Sequence, residues 1–392
     1  MYYSIRSFLR EIVISFWRIV GFLAGHRDRL ILFNSYNGKQ YSCSPRAVYE
    51  YMLRNYPEAG IRYVWAFQEP EKFQEYINKP NTHVCRFNSI KHFWYACTAD
   101  AQIYNFNMIP SLKSNQIRVE TWHGGGCYKK VGAAIEYQTK EYSRYVLRKY
   151  KDINCFVSSS RYFTEEVIRK QFGYTGQVLE IGLPRNDRLF GADRYLPEAE
   201  EIRKQLGLKP DNYVVLYAPT YKDLGEGQDD TPDFDILREA VHYRFGKDAV
   251  FLFRCHHLSS ERTADARIID VTEYPDMQGL LLISDMLITD YSSSIWDFSF
   301  TGRPCFLFVP DLDKYSSYRG LDTDIHNWGF PVCTDNSSLS NAIRDFDSER
   351  FNCAMDRHHS DLGSFEEGNA TERLCAFLAE RLHIESGQEQ IQ

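Results

Sequence analysis

The chain is short of several things, and each shortage excludes something. None of its 10 cysteines pairs into a CxxC, which removes zinc-ribbon and thioredoxin-like sites. Positive charge is not in excess: 46 Lys+Arg stand against 53 Asp+Glu, a formal net charge of −7. A generic nucleic-acid binder is broadly basic, so no nucleic-acid partner is expected. No internal repeat or low-complexity tract interrupts the sequence. No uninterrupted apolar run reaches the roughly 20 residues of a membrane span, and no clear small-residue cleavage site marks a signal peptide. The glycine triplet Gly124-Gly125-Gly126 lacks the GK[ST] ending of a P-loop. No carboxylate cluster demands a metal, so no obligatory metal or cofactor is expected.

What is present is globular. The 392 residues are 43% hydrophobic and 25% charged, and at about 100–200 residues per domain the length implies two domains, or three. Aromatics reach 15%, with 27 Tyr and 26 Phe, a content that suits sugars, bases or membrane interfaces. Cysteines sit in apolar runs such as Asn154-Cys155-Phe156-Val157. They read as buried reduced thiols in a cytoplasmic compartment.

Two basic segments stand apart from the acidic average. In residues 5–23, apolar side chains recur at 5, 8, 9, 12, 16, 19, 20 and 23, with Arg6, Arg10, Glu11 and Arg18 on the other arc. That is helical spacing. The helix either packs on the protein body or lies on an anionic membrane surface, where Trp17 and the arginines would be at home. Residues 129–151 carry seven Lys or Arg against Glu136 and Glu141, interleaved with Tyr137, Tyr142, Tyr145 and Tyr150. They read as an ordinary solvated helix face or as a surface facing lipid phosphates.

Short apolar runs alternate with longer amphipathic ones from Leu30 onward. Strands are predicted at Leu30–Asn34, Tyr63–Phe67, Ala101–Asn105, Arg118–Trp122, Asn154–Ser158 and Gln177–Ile181. A second series follows at Tyr213–Tyr217, Ala249–Arg254, Met286–Thr289 and Cys305–Val309. Helical patterns fall between, as at Ser44–Asn55, Arg161–Gln171 and Pro197–Gly207, and a last one covers Ala370–Leu382. The alternation predicts an α/β protein with parallel sheets wrapped by helices. We divide it into an amphipathic helix (1–26), a first domain (27–187) and a second (188–392), with the break in the turn-rich Gly182–Asp211.

Five motifs follow strand ends, the edge at which open α/β sheets bind ligands. Trp122-His123-Gly124 offers a base and close backbone approach, or a turn with a structural histidine. Gly182-Leu183-Pro184-Arg185-Asn186-Asp187 offers a guanidinium for a phosphate, or a rigid turn. Tyr217-Ala218-Pro219-Thr220 is a loop at a strand edge. Arg254-Cys255-His256 would turn Arg254 and His256 to one side of an extended chain. Asp290-Tyr291-Ser292-Ser293-Ser294 leads from a strand into a helix start, where backbone N–H groups and hydroxyls can hold phosphate or merely cap the helix.

The ordered series TWHG, GxPRND, YAPT, RxH and SDxLITDYSS resembles the CDP-glycerol glycerophosphotransferases of teichoic acid synthesis. Gly302-Arg303-Pro304, Asp311–Tyr315 and Arg319-Gly320 continue the likeness, which covers residues 27–385. The resemblance implies a GT-B-like fold with two Rossmann-like domains facing a cleft. It implies CDP-glycerol, or a related CDP-polyol such as CDP-ribitol, as donor in the second domain. The acceptor would be an undecaprenyl-linked saccharide, met by a peripheral enzyme at the cytoplasmic face of the membrane, and CMP would be released. His123 and His256 match the family's essential histidines, and Ser292 and Ser293 its pyrophosphate serines. Gly124, Arg185, Thr220, Arg254, Asp290 and Arg319 would line the same cleft. Family members commonly read WHGTP where this chain has His123-Gly124-Gly125-Gly126, and HP where it has His256-His257. A GT-B glycosyltransferase using a nucleotide sugar, or a non-catalytic binder on the same scaffold, would share much of this pattern.

Overall fold

The computed structural model describes residues 2–25, 29–109, 111–112, 115–126, 128–135, 139–220, 231–254, 267–318 and 320–384. The first sheet has seven strands: β1 (Leu30–Asn34), β2 (Arg62–Phe67), β3 (Thr82–Arg86), β4 (Ala101–Tyr104), β5 (Ile117–Glu120), β6 (Cys155–Ser158) and β7 (Gln177–Glu180). Their spatial order is β3-β2-β1-β4-β5-β6-β7, every pairing parallel. The second sheet has six: β8 (Tyr213–Tyr217), β9 (Ala249–Phe253), β10 (Ile268–Asp270), β11 (Met286–Thr289), β12 (Cys305–Phe308) and β13 (Val332–Cys333). Their order is β10-β9-β8-β11-β12-β13, again all parallel.

The continuous apolar runs of the central strands have a direct cause. A parallel sheet is covered on both faces, so successive residues must both be buried. In β1, Ile31 and Phe33 enter the core on one face, while Leu30 and Leu32 enter the core on the other. Three strands escape the sequence reading, and all three are edges: β3, β10 and β13. An edge strand is half solvated; β10 has no fully buried residue. Nothing forces it to be apolar, and its periodicity is lost.

The last helix, Ala370–Arg381, does not stay with the second sheet. Leu374, Cys375 and Leu378 pack into the first sheet's core beside Ile31 and Phe33. The segment before it bridges to the first sheet's loops, with Ser160 paired antiparallel to Ser364. The expected break at 187/188 falls inside the short 3₁₀ helix Pro184–Leu189, whose Asp187 carboxylate accepts the N–H groups of Ala370 at 3.0 Å and Thr371 at 2.7 Å. The two halves are thus stitched at their junction rather than joined by a free linker.

The N-terminal segment is a helix over Tyr2–Leu23. It docks on the body through Ile14, buried beside the helix Ile90–Thr98, and through Trp17, which stacks on Phe93 at 6.4 Å. At Gly21 any side chain would collide with Cys97. The line facing the body is therefore 14-17-21. The apolar stripe read from the sequence runs elsewhere, and Ile12, Phe16, Ile19 and Leu23 stay exposed. In the basic stretch, Tyr145 is exposed, but Tyr150 belongs to a core with Val146 and Phe156.

Truncating Leu374 to Ala should cost about 2–5 kcal/mol, the range for a buried Leu→Ala change. Urea unfolding measures it; a loss below about 0.5 kcal/mol would mean that the last helix is no part of this core.

Candidate active site

In each sheet the strand order reverses once, between β1 and β4 in the first and between β8 and β11 in the second. Such switch points leave a crevice outside the carboxyl ends of the strands. Here the two crevices share one cavity of about 940 Å³. Its wall takes Tyr36 from the turn after β1 and His123 from the loop after β5. Thr220 comes from the loop after β8, Arg254 from the end of β9, and Ser292 and Ser293 from the turn after β11.

His123 is held from three sides. Trp122 lies at 4.3 Å between ring centroids, Phe106 at 5.4 Å and Tyr36 at 5.6 Å. Its Nδ1 is 2.8 Å from the main-chain carbonyl of Asn105, the residue after β4. A carbonyl only accepts, so Nδ1 carries the proton and Nε2 keeps its lone pair. Burial lowers the histidine's pKa to about 4 against the pull of the Asn105 bond, and Arg185, Lys149 and Lys129 push the same way as burial. The imidazole is a neutral base at physiological pH.

The loop that presents it is strained. Trp122 has φ +53, left-handed backbone that a bulky residue seldom adopts. Its N–H is accepted by Glu120 Oε1 at 2.9 Å, which closes a tight turn at the end of β5. Glu120 is buried, its Oε2 has no hydrogen-bond partner among the described residues, and burial raises its carboxyl to about 8. A neutral acid is cheaper to bury there than a carboxylate. Asn105 ties the same corner to the turn after β1, because its side-chain oxygen accepts the Tyr36 N–H at 2.8 Å.

The glycine triplet brings the two halves together. A Cβ on Gly124 would lie 2.8 Å from Ser293 Oγ, and one on Gly125 would lie 2.1 Å from the Trp296 ring. Trp296 is fully buried, so it cannot yield. The space beside the backbone at 125, where the family pattern has threonine, is filled by this indole. Behind it the helix Ser294–Ser299 spans only six residues. So short a helix carries a small dipole, and phosphate binding here would fall to hydroxyls and cations rather than to the helix end.

Arg185 lines the cavity wall, but its guanidinium is committed elsewhere. It pairs with the buried Asp297 at 2.6 Å and donates to the His123 carbonyl at 2.6 Å. It fixes the site rather than being free to meet a phosphate. Thr220 donates its N–H to Asp290 Oδ1 at 2.7 Å, and the same oxygen takes the Tyr291 N–H at 2.6 Å. Asp290 therefore shapes the loop that carries Thr220. Arg254 is held by the Tyr274 carbonyl at 2.5 Å. His256 and Arg319 lie outside the described residues. Lys39 and Lys72, isolated lysines in loops that carry no motif, also line the cavity, and so does Lys129 of the basic stretch, which the sequence reading placed on a solvated or lipid-facing surface. Asn105, Glu120, Trp296 and Asp297 were missed for another reason, since each acts through another residue. Among the described residues no cluster of three potential metal ligands exists.

Gly125→Ala should misplace the His123 loop. Overpacking of this kind costs about 1–3 kcal/mol, and a shift of about 1 Å at a reacting group costs on the order of 10²-fold in rate. Melting temperature and turnover measured together check this; wild-type values for both would show that Trp296 has room to move.

Residues 16–380 match the family described as CDP-Glycerol:Poly(glycerophosphate) glycerophosphotransferase. A teichoic acid poly(glycerol phosphate) polymerase of Bacillus spizizenii is 32% identical over 340 residues, covering 81% of this chain and 83% of that one. A teichoic acid glycerol-phosphate transferase of Staphylococcus aureus is 31% identical over 367 residues, covering 88% and 92%. The chain spans only half the length of a longer poly(glycerol phosphate) polymerase of Staphylococcus epidermidis. Among solved structures, the wall teichoic acid polymerase TagF, as a histidine-to-asparagine variant soaked with CDPG, superposes with a TM-score of 0.81 at 27% identity over 100% of both chains. The parallel two-sheet architecture and the ordered strand-end motifs thus have one source: this chain belongs to the CDP-glycerol glycerophosphotransferase family.

Proposed function

We propose that the cavity binds CDP-glycerol and transfers glycerol phosphate to a hydroxyl of a membrane-lipid-linked saccharide, releasing CMP, in teichoic acid or capsular polymer synthesis. One observation carries the reading. His123, with Nε2 left basic by the Asn105 bond, lines the same cavity as the Ser292 and Ser293 hydroxyls and a group of cations. Residues 27–187 supply the acceptor side and residues 188–392 the donor side.

The chemistry needs little beyond placement and charge. The acceptor oxygen attacks the phosphorus that bears glycerol, and His123 Nε2 takes the hydroxyl proton as that bond forms. The bond from this phosphorus to the CMP oxygen breaks, and CMP departs with the electron pair. Arg254, Lys129 and the two serines offset the negative charge that collects on the leaving phosphate. His256, assigned by its place in the RxH motif, would join them.

CMP release from CDP-glycerol in the presence of a lipid-linked acceptor tests this directly. His123→Ala should lower it about 10²–10⁴-fold, the usual contribution of a general base, with no change in melting. A base of pKa about 4 is deprotonated at neutral pH. So kcat/KM should stay level as pH falls from 8 to about 5, then drop about tenfold per unit below the pKa. Turnover of nucleotide sugars alone, or an acid limb near the ordinary histidine value, would overturn the assignment.

The N-terminal helix supplies the membrane contact in this reading. No described helix is long and apolar enough to cross a membrane, yet Ile12, Phe16, Ile19 and Leu23 form an uncovered apolar face. The Arg18–Asp152 ion pair at 3.7 Å joins this helix to the end of the basic stretch 129–151, so apolar and cationic surface adjoin. That combination suits the interface of an anionic bilayer. Replacing Phe16 and Ile19 together with Asp should weaken binding to phosphatidylglycerol vesicles at least about tenfold, since each buried apolar side chain contributes about 1.5–3 kcal/mol. Unchanged vesicle binding would leave the helix a purely structural element.

A further inference from the structure

A second cavity, of about 740 Å³, opens on the first sheet's side of the molecule. It is walled by five tyrosines: Tyr41, Tyr49, Tyr56, Tyr63 and Tyr76. Tyr76 also lines the cavity that holds His123, so the two spaces share a wall and one ring stands at their junction. That ring is 52% exposed and stacks on Tyr41 at 5.8 Å with 24° between planes. A lone exposed tyrosine needs no explanation; one mounted on a buried ring at the mouth between two cavities is a platform.

The charge pattern separates the two spaces. The groove's ionisable rim is Glu50 and Glu58 against Arg54 and Lys79, which sums to zero. The active-site cavity has Lys39, Lys72, Lys129, Arg185 and Arg254 against Glu69, Glu273 and Asp297. A phosphate chain would gain nothing from the groove. The tyrosine hydroxyls are partly engaged already, Tyr41 donating to Glu50 at 2.9 Å and Tyr49 sharing a bond with Thr82 at 2.9 Å. What these residues can offer is ring surface with polar groups at the edge, which matches a sugar ring, apolar on its C–H face and hydroxylated at its rim.

We propose that this tyrosine groove seats a neutral saccharide unit of the acceptor, while the hydroxyl that attacks lies beyond Tyr76 at His123. The inference rests on the transferase reading above and adds where the acceptor's sugar binds. The groove, and not a basic track for a polyol-phosphate chain, then selects the acceptor.

The test uses the full chain with an alkyl disaccharide glycoside as acceptor, CDP-glycerol as donor, and the variants Tyr76→Ala and Tyr76→Phe. Loss of the ring should raise the acceptor KM about twofold to tenfold, the range set by one aromatic contact. The Phe variant should stay near wild type, and in the Ala variant the acceptor KM should move more than the donor KM, since Tyr76 also borders the donor cavity. An unchanged acceptor KM in Tyr76→Ala overturns the groove assignment. So does competition by glycerol-phosphate oligomers but not by the free disaccharide. If the wild-type chain releases no CMP from any CDP-polyol, the reaction is wrong, and calorimetry of the disaccharide with wild type and Tyr76→Ala still decides the groove: equal binding, or none, overturns it.

Discussion

The buried pair of Arg185 and Asp297 is the constraint on which the site depends. Arg185 comes from the turn that follows the first sheet, and Asp297 from the helix that follows β11. Both are almost wholly buried and meet at 2.6 Å. Taking two charges out of water is costly, and it is repaid only when geometry and further hydrogen bonds are good. They are good here: Gln278 donates to Asp297 at 3.1 Å, and the guanidinium donates to the His123 carbonyl. Burial alone would lower the pKa of Arg185, but Asp297, with Cys43 and Tyr36 beside it, more than offsets that, and the group stays charged. Removing either partner would strand the other in a dry interior, so the three segments have one shared arrangement.

From that pair the close contacts of the cleft follow. With Arg185 gripping the His123 carbonyl, the loop after β5 lies against the helix that carries Asp297. Only glycine fits at 124 and 125, where Ser293 and Trp296 occupy the space of a side chain. The same closeness lays the loop that carries His123 against Ser293 of the other half. A second clamp holds the outer side of the junction: Arg46 and Arg188 both bind Asp276, at 2.8 Å and 2.5 Å, and both reach Glu198. Asp276 precedes the helix Met277–Ile283, whose Met277 and Gln278 line the cavity.

The sequence was readable where burial dictates it and opaque where geometry does. Nine inner strands announce themselves because a two-sided core needs runs such as LILF in β1 and AVFLF in β9, and the edge β7 was read with them. The edges β3, β10 and β13 do not, since water covers one side of them. Strand-end motifs located His123, Thr220, Arg254, Ser292 and Ser293 at one cavity, because parallel strands put all their carboxyl ends on one side. What Arg185 does there could not be read, since a guanidinium suits a phosphate and a buried carboxylate equally well. Nor could the facing of the N-terminal helix. Its apolar stripe was visible, but the line that packs, Ile14, Trp17 and Gly21, is set by how closely the helix must approach Cys97.

The protonation states give the arrangement its chemical sense. Beside the charged Arg185, two groups in the corner around His123 are held neutral: the imidazole by a pKa near 4 and Glu120 by one near 8, both through burial. Positive charge also lines the cavity at Lys39, Lys72, Lys129 and Arg254. A histidine so depressed is a weak base in the empty site, which protects it from idle protonation. Negative charge beside an imidazole raises its proton affinity. In the proposed reaction, the donor's diphosphate would bring that charge, so the base would strengthen as the substrate it serves arrives. The Asn105 bond therefore fixes the tautomer, burial and the neighbouring cations keep the imidazole weakly basic in the empty site, and in the proposed reaction the arriving donor would offset them.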